Sequence, residues 1–496
     1  MKNIIQYLQE TCIKRFEEIQ EDLYKDPTQF AKFVTDVDSE VKKLGVMVIK
    51  ETLEAMDTEI QKSLKRKLHW VVERHDSKQL ITSLGTVRFM KTLYRFRDRK
   101  DENGKEIMCY LLDKTLGLTQ NQRITDDAVA KIYEEAVQTS YRRGGHAVNH
   151  DDSVSKEAVK DLLHKTKFPT DPEKPGQKKK VDYLYIDADE DHFSLQFQEK
   201  KGDLEKNENG RKRNGAITKL IYVYEGIERD APESKRRHLV NPHYFCRVTD
   251  DNTSLWDEVY DYIDATYEIP SIKKIYLNSD GGAWIKAGFK RIEGIQYVLD
   301  EFHLSKYILK MTAHMLDSQA DAREEVCKTI MGKEKKDFKE LVGRLKGYTE
   351  KESDLKRITG AAEYIESNWA AAKRRLWKRD GIAACSAEGH VSHVLSSRMS
   401  TLPLGWSRHG AHQMARLREY YYNHGDMLEL AKYQREESAE AAGAEKAVLS
   451  AATVMRSEIT ERSKEKREMG KYYDSMTHTW SIQTRTRYHL YVNHWF

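Results

Sequence analysis

From residue 183 to residue 316 the chain presents strand-like runs first and then alternates helices with strands, an order open to few folds. Strands are expected at 183–189, 192–198, 216–224 and 238–249. A helix follows at 253–267, where Asn252-Thr-Ser caps and Leu255, Val259, Tyr262 and Ile263 recur at helical spacing. Then come a strand at 273–279, a short helix at 282–289, a strand at 295–300 and a helix at 303–316. The pattern predicts an α/β fold built on a mixed sheet.

The arrangement is that of a ribonuclease H-like core, and the flanking sequence divides around it. Residues 1–75 carry helical periodicity, as in Phe30, Phe33, Val34 and Val37. Leu84 to Phe96 and Ile107 to Leu112 alternate around a Lys100-Asp-Glu-Asn-Gly turn, which predicts a β-hairpin. The expected layout is a helical N-terminal region with this hairpin at 1–120 and a helical segment at 121–167. That segment is a candidate helix-turn-helix, with a plain helical hairpin as the alternative. Phe168 to Lys180 holds three prolines and a basic run, and reads as a linker. The first part of the core is expected at 181–316, a helical insertion at 317–384, the last core helix at 385–410 and a helical C-terminal region at 411–496. In the insertion, Ala320 to Met331, Lys336 to Thr349 and Ile358 to Lys378 read as helices.

A chain of 496 residues suggests two to four domains. Lys and Arg number 84 against 80 Asp and Glu, so any basic surface must be local. Five dispersed cysteines without a Cys-x-x-Cys pair predict reduced thiols and a cytoplasmic setting. No apolar run is long enough for a membrane span, and no signal peptide is expected. Only 8 prolines favour long helices over an all-β design.

Three acids in three contexts carry the chemistry. Asp187 and Asp189 share one face of the run Tyr183-Leu-Tyr-Ile-Asp-Ala-Asp189, opposite Leu184, Ile186 and Ala188. Acids on a buried strand are costly without a metal or cationic partner; the alternative is an exposed turn with Glu190 and Asp191. Asp280 ends the strand Lys274-Ile-Tyr-Leu and precedes Gly281-Gly282, where a ligand could approach or Asp280 could cap a short helix. Glu388 lies near the start of a helix-like segment from Ser386 to Ser400, with Ser386 a plausible N-cap. It could instead complement the helix dipole. Carboxylates so placed can hold a pair of magnesium ions, which clamp the attacking and leaving oxygens of a phosphodiester. Asp300 and His303, at a strand end and helix start, are candidates to support the acids from behind. Cys385, His390 and His393 lack a familiar four-ligand zinc spacing. Neither a nucleophile elbow nor a Walker-type loop occurs.

Several segments resemble bacterial insertion-sequence transposases of the ISLre-type group, formerly an uncharacterised protein family. They are Tyr185-Ile-Asp-Ala-Asp-Glu-Asp-His192, Leu277-Asn-Ser-Asp-Gly-Gly-Ala-Trp-Ile285, Val298-Leu-Asp-Glu-Phe-His-Leu-Ser-Lys306 and Ala387-Glu-Gly-His-Val-Ser-His-Val-Leu-Ser-Ser-Arg-Met399. Leu112-Asp-Lys-Thr-Leu-Gly-Leu118 is similar to a further family segment. The resemblance implies a DDE transposase with Asp189, Asp280 and Glu388 as catalytic and metal-binding triad, and Asp187 as the alternative first acid. Asp300-x-x-His303 resembles a motif of Mutator-like transposases, whose helical insertion before the last acid also corresponds to 317–384. The implied cofactor is two Mg²⁺ ions, with Mn²⁺ a plausible substitute. The implied partners are double-stranded DNA, as element ends and target, and further copies of the chain in a dimer or higher assembly. The implied location is the bacterial cytoplasm, on the nucleoid. Arg398, Arg408 and Lys178, Lys179 and Lys180 are candidate DNA contacts, with solvated surface or linker roles as alternatives. So is the aromatic and basic tail Arg456 to Phe496. A metal-dependent nuclease on the same fold, a DNA-binding protein with an inactive core, and a helical scaffold are the competing readings.

Overall fold

The computed structural model describes residues 11–100, 104–119, 121–148, 154–169, 177–197, 214–332, 334–378, 381–402 and 404–441. The chain divides into two compact units. One takes its described residues from Met1–Ile132, His146–Val154 and Ala431–Phe496, the other from Tyr133–Gly145 and Ser155–Leu430. The division falls inside the predicted segment 121–167. The tail beyond 441, including its aromatic and basic residues, the tip of the predicted hairpin turn and most of the Pro-rich segment lie outside the described residues.

The N-terminal unit places a 33-residue helix, Phe30–Lys62, against a three-stranded antiparallel sheet. Its strands are β1 (Trp70–Ile81), β2 (Thr86–Lys100) and β3 (Glu106–Tyr110). Leu53, Ile60, Trp70, Phe89, Tyr94 and Leu112 form its core. The predicted hairpin corresponds to β2 and β3, whereas the predicted helix over 1–75 stops at His69. Trp70-Val-Val begins β1, which pairs with β2 from Trp70↔Phe96 to Ile81↔Thr86. Tertiary pairing overrides a charged sequence that locally resembles helix.

The larger unit is organised by β4 (Tyr183–Leu195), β5 (Gly215–Tyr224), β8 (His243–Arg247), β9 (Lys274–Ser279) and β10 (Ile295–Leu299). Two short strands, β6 (Gly226–Arg229) and β7 (Arg237–Val240), form a separate ribbon. The main order is β10-β9-β4-β5-β8, with β11 (Gly405–Trp406) beside β4. β4, β5 and β8 pair antiparallel, and β4, β9 and β10 pair parallel. A mixed sheet is therefore present. The two strands expected at 183–189 and 192–198 are one continuous β4, and the run 238–249 splits into β7 and β8 around Asn241, whose φ is 49°.

One sheet face packs on the helix Asn252–Thr266 through Leu184, Ile186, Ala188, Trp256 and Val259. A second core joins the helices Glu301–Thr312, Gln319–Met331, Lys335–Gly347, Glu352–Ser367 and Trp369–Trp377. The predicted helical insertion is thus helical throughout its main segments, and the span 358–378 divides at Asn368. The segment at Gln177–Lys180 is no free linker: the Lys179 N–H donates to Thr266 and its carbonyl accepts from Glu268.

Candidate active site

The long central strand puts Asp187, Asp189 and Asp191 on the face opposite Ile186 and Ala188. Asp187 is fully buried. Its Oδ1 accepts from Asn278 Nδ2 at 2.6 Å and Tyr224 Oη at 3.1 Å. Its Oδ2 accepts from Tyr222 Oη at 2.7 Å, the Ser386 N–H at 3.2 Å and Cys385 Sγ at 3.6 Å. Burial pushes the Asp187 carboxyl above its ordinary range, while these donors pull it back. Both oxygens are engaged, so Asp187 is a buried tie between strands and the segment leading to Glu388.

Asp189, two residues on, is partly exposed. Its carboxyl is pushed up to about 7, first by burial and then by the charges of Asp280 and Glu388. The Glu190 N–H, 2.8 Å from Oδ1, and His303 act in the opposite sense. Asp189, in a strand interior, therefore lies within electrostatic reach of both Asp280, at a strand end, and Glu388, on a late helix.

Each of the other two acids is positioned from a distance. Asp280 follows β9; its carbonyl accepts from Tyr364 Oη at 2.6 Å, and its Oδ1 accepts from the Gly282 N–H at 2.9 Å. Gly281 has φ 86°, and a Cβ there would lie 2.5 Å from Tyr297 Oη and 2.7 Å from Asn368 Oδ1. The sharp turn and the close packing both require glycine. Glu388 is exposed on the short helix Ala387–His390. Ser386 makes no side-chain cap; its hydroxyl instead meets Tyr222 Oη at 3.1 Å. The helix expected from Ser386 to Ser400 is interrupted by a π-helical turn at Val391–Ser396, a device frequent at functional sites.

Asp300 and His303 form a tight unit beside these acids. Asp300 Oδ2 accepts from the His303 N–H at 3.1 Å and from its Nδ1 at 2.8 Å. Burial drives Asp300 upward, but the bonds from His303 and the Cys385 thiol outweigh it and hold it below its ordinary range. His303 is raised, foremost by its bond to Asp300 and further by the charges of Asp280 and Asp189.

Sequence reasoning missed two arginines. Arg375, on Trp369–Trp377, is buried and donates to Leu299 O at 2.8 Å, Ala383 O at 2.7 Å and Asn278 Oδ1 at 2.7 Å. Asn278 faces Asp187 in the parallel register of β4 and β9, so it relays between Arg375 and the buried acid. Arg418 is fully buried and holds the π-helical turn: it donates to the carbonyls of His393, Val394 and Val137, to Ser397 Oγ and to Tyr422 Oη. A polar Asn278 inside the apolar β9 run was the one local signal for this network.

The acids fit a hard divalent cation in kind, because carboxylate oxygen is its preferred ligand. Among the described residues, no group of three or more His, Cys, Asp or Glu side chains forms a ready metal cage.

A family profile matches residues 23–437, under the description "Uncharacterised protein family (UPF0236)". The chain belongs to this uncharacterised family. A family protein from Caldanaerobacter subterraneus subsp. tengcongensis is 34% identical over 411 residues, covering 83% of this chain and 81% of its own. A second from the same organism is 33% identical over 414 residues, covering 83% and 82%. Among solved structures, a chain of the "Drosophila P element transposase strand transfer complex" aligns at 12% identity and a TM-score of 0.29, covering 64% of this chain and 97% of that one. That likeness is too loose to bear on the fold.

Other predicted contacts of this UPF0236 chain fall elsewhere. Arg398 is buried, not a surface phosphate contact: its Nε donates to Ala136 O at 3.0 Å and its guanidinium lies 4.9 Å from the Trp406 ring centre. Burial lowers it to about 10. Arg408 is exposed at the start of the helix Arg408–Tyr422. Lys178, Lys179 and Lys180 are exposed and pair with Asp264, Glu225 and Glu268, respectively; such pairs contribute little stability. No helix among the described residues is long and apolar enough to cross a membrane.

His390 packs on Tyr222 and has Nδ1 3.0 Å from Tyr244 Oη. Burial, then His393, lowers its pKa to about 4. A histidine so depressed is neutral in the fold and charges on unfolding, so its contribution is present above pH ~6.5 and is lost as pH falls toward 4. Comparing His390→Gln with the wild type by denaturation at pH 7 and pH 4.5 should show the stability gap shifting by ~2 kcal/mol in favour of the variant at the lower pH. A pH-independent gap would contradict the neutral buried imidazole.

Proposed function

We propose that this protein is a magnesium-dependent DDE transposase that cleaves element ends and joins the 3′-hydroxyl to target DNA. The observation that carries the reading is that Asp189, on the central strand, lies within electrostatic reach of both Asp280 and Glu388. Three features support it further. The order β10-β9-β4-β5-β8, antiparallel on one side of β4 and parallel on the other, is the arrangement expected of a ribonuclease H-like core. A helical segment separates the second acid from the third. The name of the first relative joins eleven locus designations of one organism and that of the second joins four, a multiplicity expected of an element that spreads. That multiplicity favours strand transfer over simple nuclease activity.

In this reading Asp189, Asp280 and Glu388 hold two Mg²⁺ ions, with Mn²⁺ a substitute, which when bound supply an activated nucleophile and stabilise the leaving oxygen. The protein's own groups orient the site. Asp187 and Asn278 fix the polar face of β4, Tyr364 and Gly281 fix the Asp280 turn, and Asp300 orients His303 through Nδ1. The partners are double-stranded DNA, as ends and target, and a second copy of the chain, because joining two ends needs them held together. The setting is the bacterial cytoplasm, at the nucleoid.

The test compares wild type with Glu388→Gln on DNA carrying the element ends, with Mg²⁺. Wild type should cleave and join strands, and the variant should lose about a hundredfold to a thousandfold of that rate, the scale of losing one electrostatic stabiliser. Equal rates would remove Glu388 from the triad; cleavage without joining by the wild type would identify a nuclease instead.

A further inference from the structure

The motif Leu112-Asp-Lys-Thr-Leu-Gly-Leu118 has no part in that chemistry, yet it builds a cavity of about 1110 Å³ in the N-terminal unit. Asp113 and Lys114 line it from the short helix Leu111–Leu116. Gly117, at φ 67°, ends that helix and turns the chain so that Leu118, Thr119, Asn121, Gln122 and Arg123 contribute to the wall. β1, β2 and β3 supply the other sides.

The charges in this cavity are unbalanced. Arg74, Lys78, Lys91, Lys114 and Arg123 line it against two acids, Asp76 and Asp113. Asp76 is engaged by Arg74 Nε and by Tyr110 Oη at 2.6 Å. Lys78 Nζ and Lys91 Nζ both reach the same oxygen, Asp113 Oδ2, at 2.9 and 2.5 Å. The Lys78 and Lys91 side chains are more than nine-tenths buried, and that of Asp113 is 13% exposed. Two ammonium groups thus share one carboxylate oxygen in the wall of the cavity. A buried charge without a counterion is costly, and the wall of the cavity is where a second anion can supply it. Lys91 also lies 3.5 Å from the centre of the Tyr110 ring, which leaves an aromatic surface beside the cations.

We propose that this cavity binds a phosphate group, held by Lys78 and Lys91 from below and by Arg123 at the rim. The same phosphate chemistry is offered by a DNA strand and by a free phosphorylated small molecule. The site lies in the N-terminal unit and does not depend on the triad being catalytic.

Calorimetric titration of the full chain with inorganic phosphate, pyrophosphate and a short single-stranded oligonucleotide, with and without a 5′-phosphate, tests the site. At least one probe should bind, and Lys91→Met should weaken it tenfold or more. Arg123→Gln, at an exposed position, should weaken it severalfold. Binding confined to the oligonucleotides assigns the site to DNA; binding of the inorganic anions assigns it to a free ligand. No heat with any probe, or an affinity unchanged in Arg123→Gln when Lys91→Met is unfolded or also unchanged, overturns the proposal.

Discussion

Asp187→Ala is expected to destabilise the larger unit by about 3–5 kcal/mol. The substitution leaves Asn278 Nδ2, the hydroxyls of Tyr222 and Tyr224 and the Ser386 N–H without their acceptor in a site closed to water. Each orphaned buried donor costs about 1–3 kcal/mol, partly recovered as neighbours relax. Asp187→Asn keeps the shape and one acceptor oxygen and removes a charge that burial already opposes. It should cost no more than about half as much. Urea denaturation of both variants separates the hydrogen-bond contribution from the charge. Equal stability of the Ala variant and the wild type would mean that the four donors find partners elsewhere.

Arg418→Met has the second large effect, about 3 kcal/mol, because it strips a fully buried guanidinium from three main-chain carbonyls and two hydroxyl oxygens. Those bonds come from one planar group, so Arg418→Lys, with a single point charge, cannot reach all five. Lysine should recover less than half of the loss. Two of the carbonyls belong to the π-helical turn behind Glu388, so the activity proposed for the site should fall along with stability in both variants. Thermal denaturation alongside the strand-joining assay checks this; full activity in a destabilised Arg418→Met would detach the turn from the placement of Glu388.

What the sequence made legible was local. The alternation of β4 exposes the polar face with Asp187 and Asp189, and the Asp280-Gly281-Gly282 turn signals a strand end by itself. The helices of the insertion follow from their periodicity. What stayed hidden depends on partners far along the chain. Nothing near Asp187 distinguishes it from Asp189; the difference lies in Tyr222, Asn278 and Ser386, which the fold brings to only one of them. Arg398 looks like a surface cation until Ala136 and Trp406 enclose it. β1 escaped because its first six residues continue a charged pattern, and only its register with β2 makes them strand.

The bond from Ser386 to Asp187 spans 199 residues of chain, and that from Arg418 to Val137 spans 281. During synthesis Asp187 can meet Tyr222, Tyr224 and Asn278 early, but its bond from Ser386 must wait for a much later part of the chain. At the usual bacterial-to-eukaryotic range of elongation rates, the 199 residues take roughly 10–40 s to make. Throughout that interval the larger unit lacks the late segment that joins Asp187 to the helix of Glu388. A ribosome stalled before residue 386 holds a sheet whose central acid has its strand donors but not the backbone donor that ties it to the segment bearing Glu388.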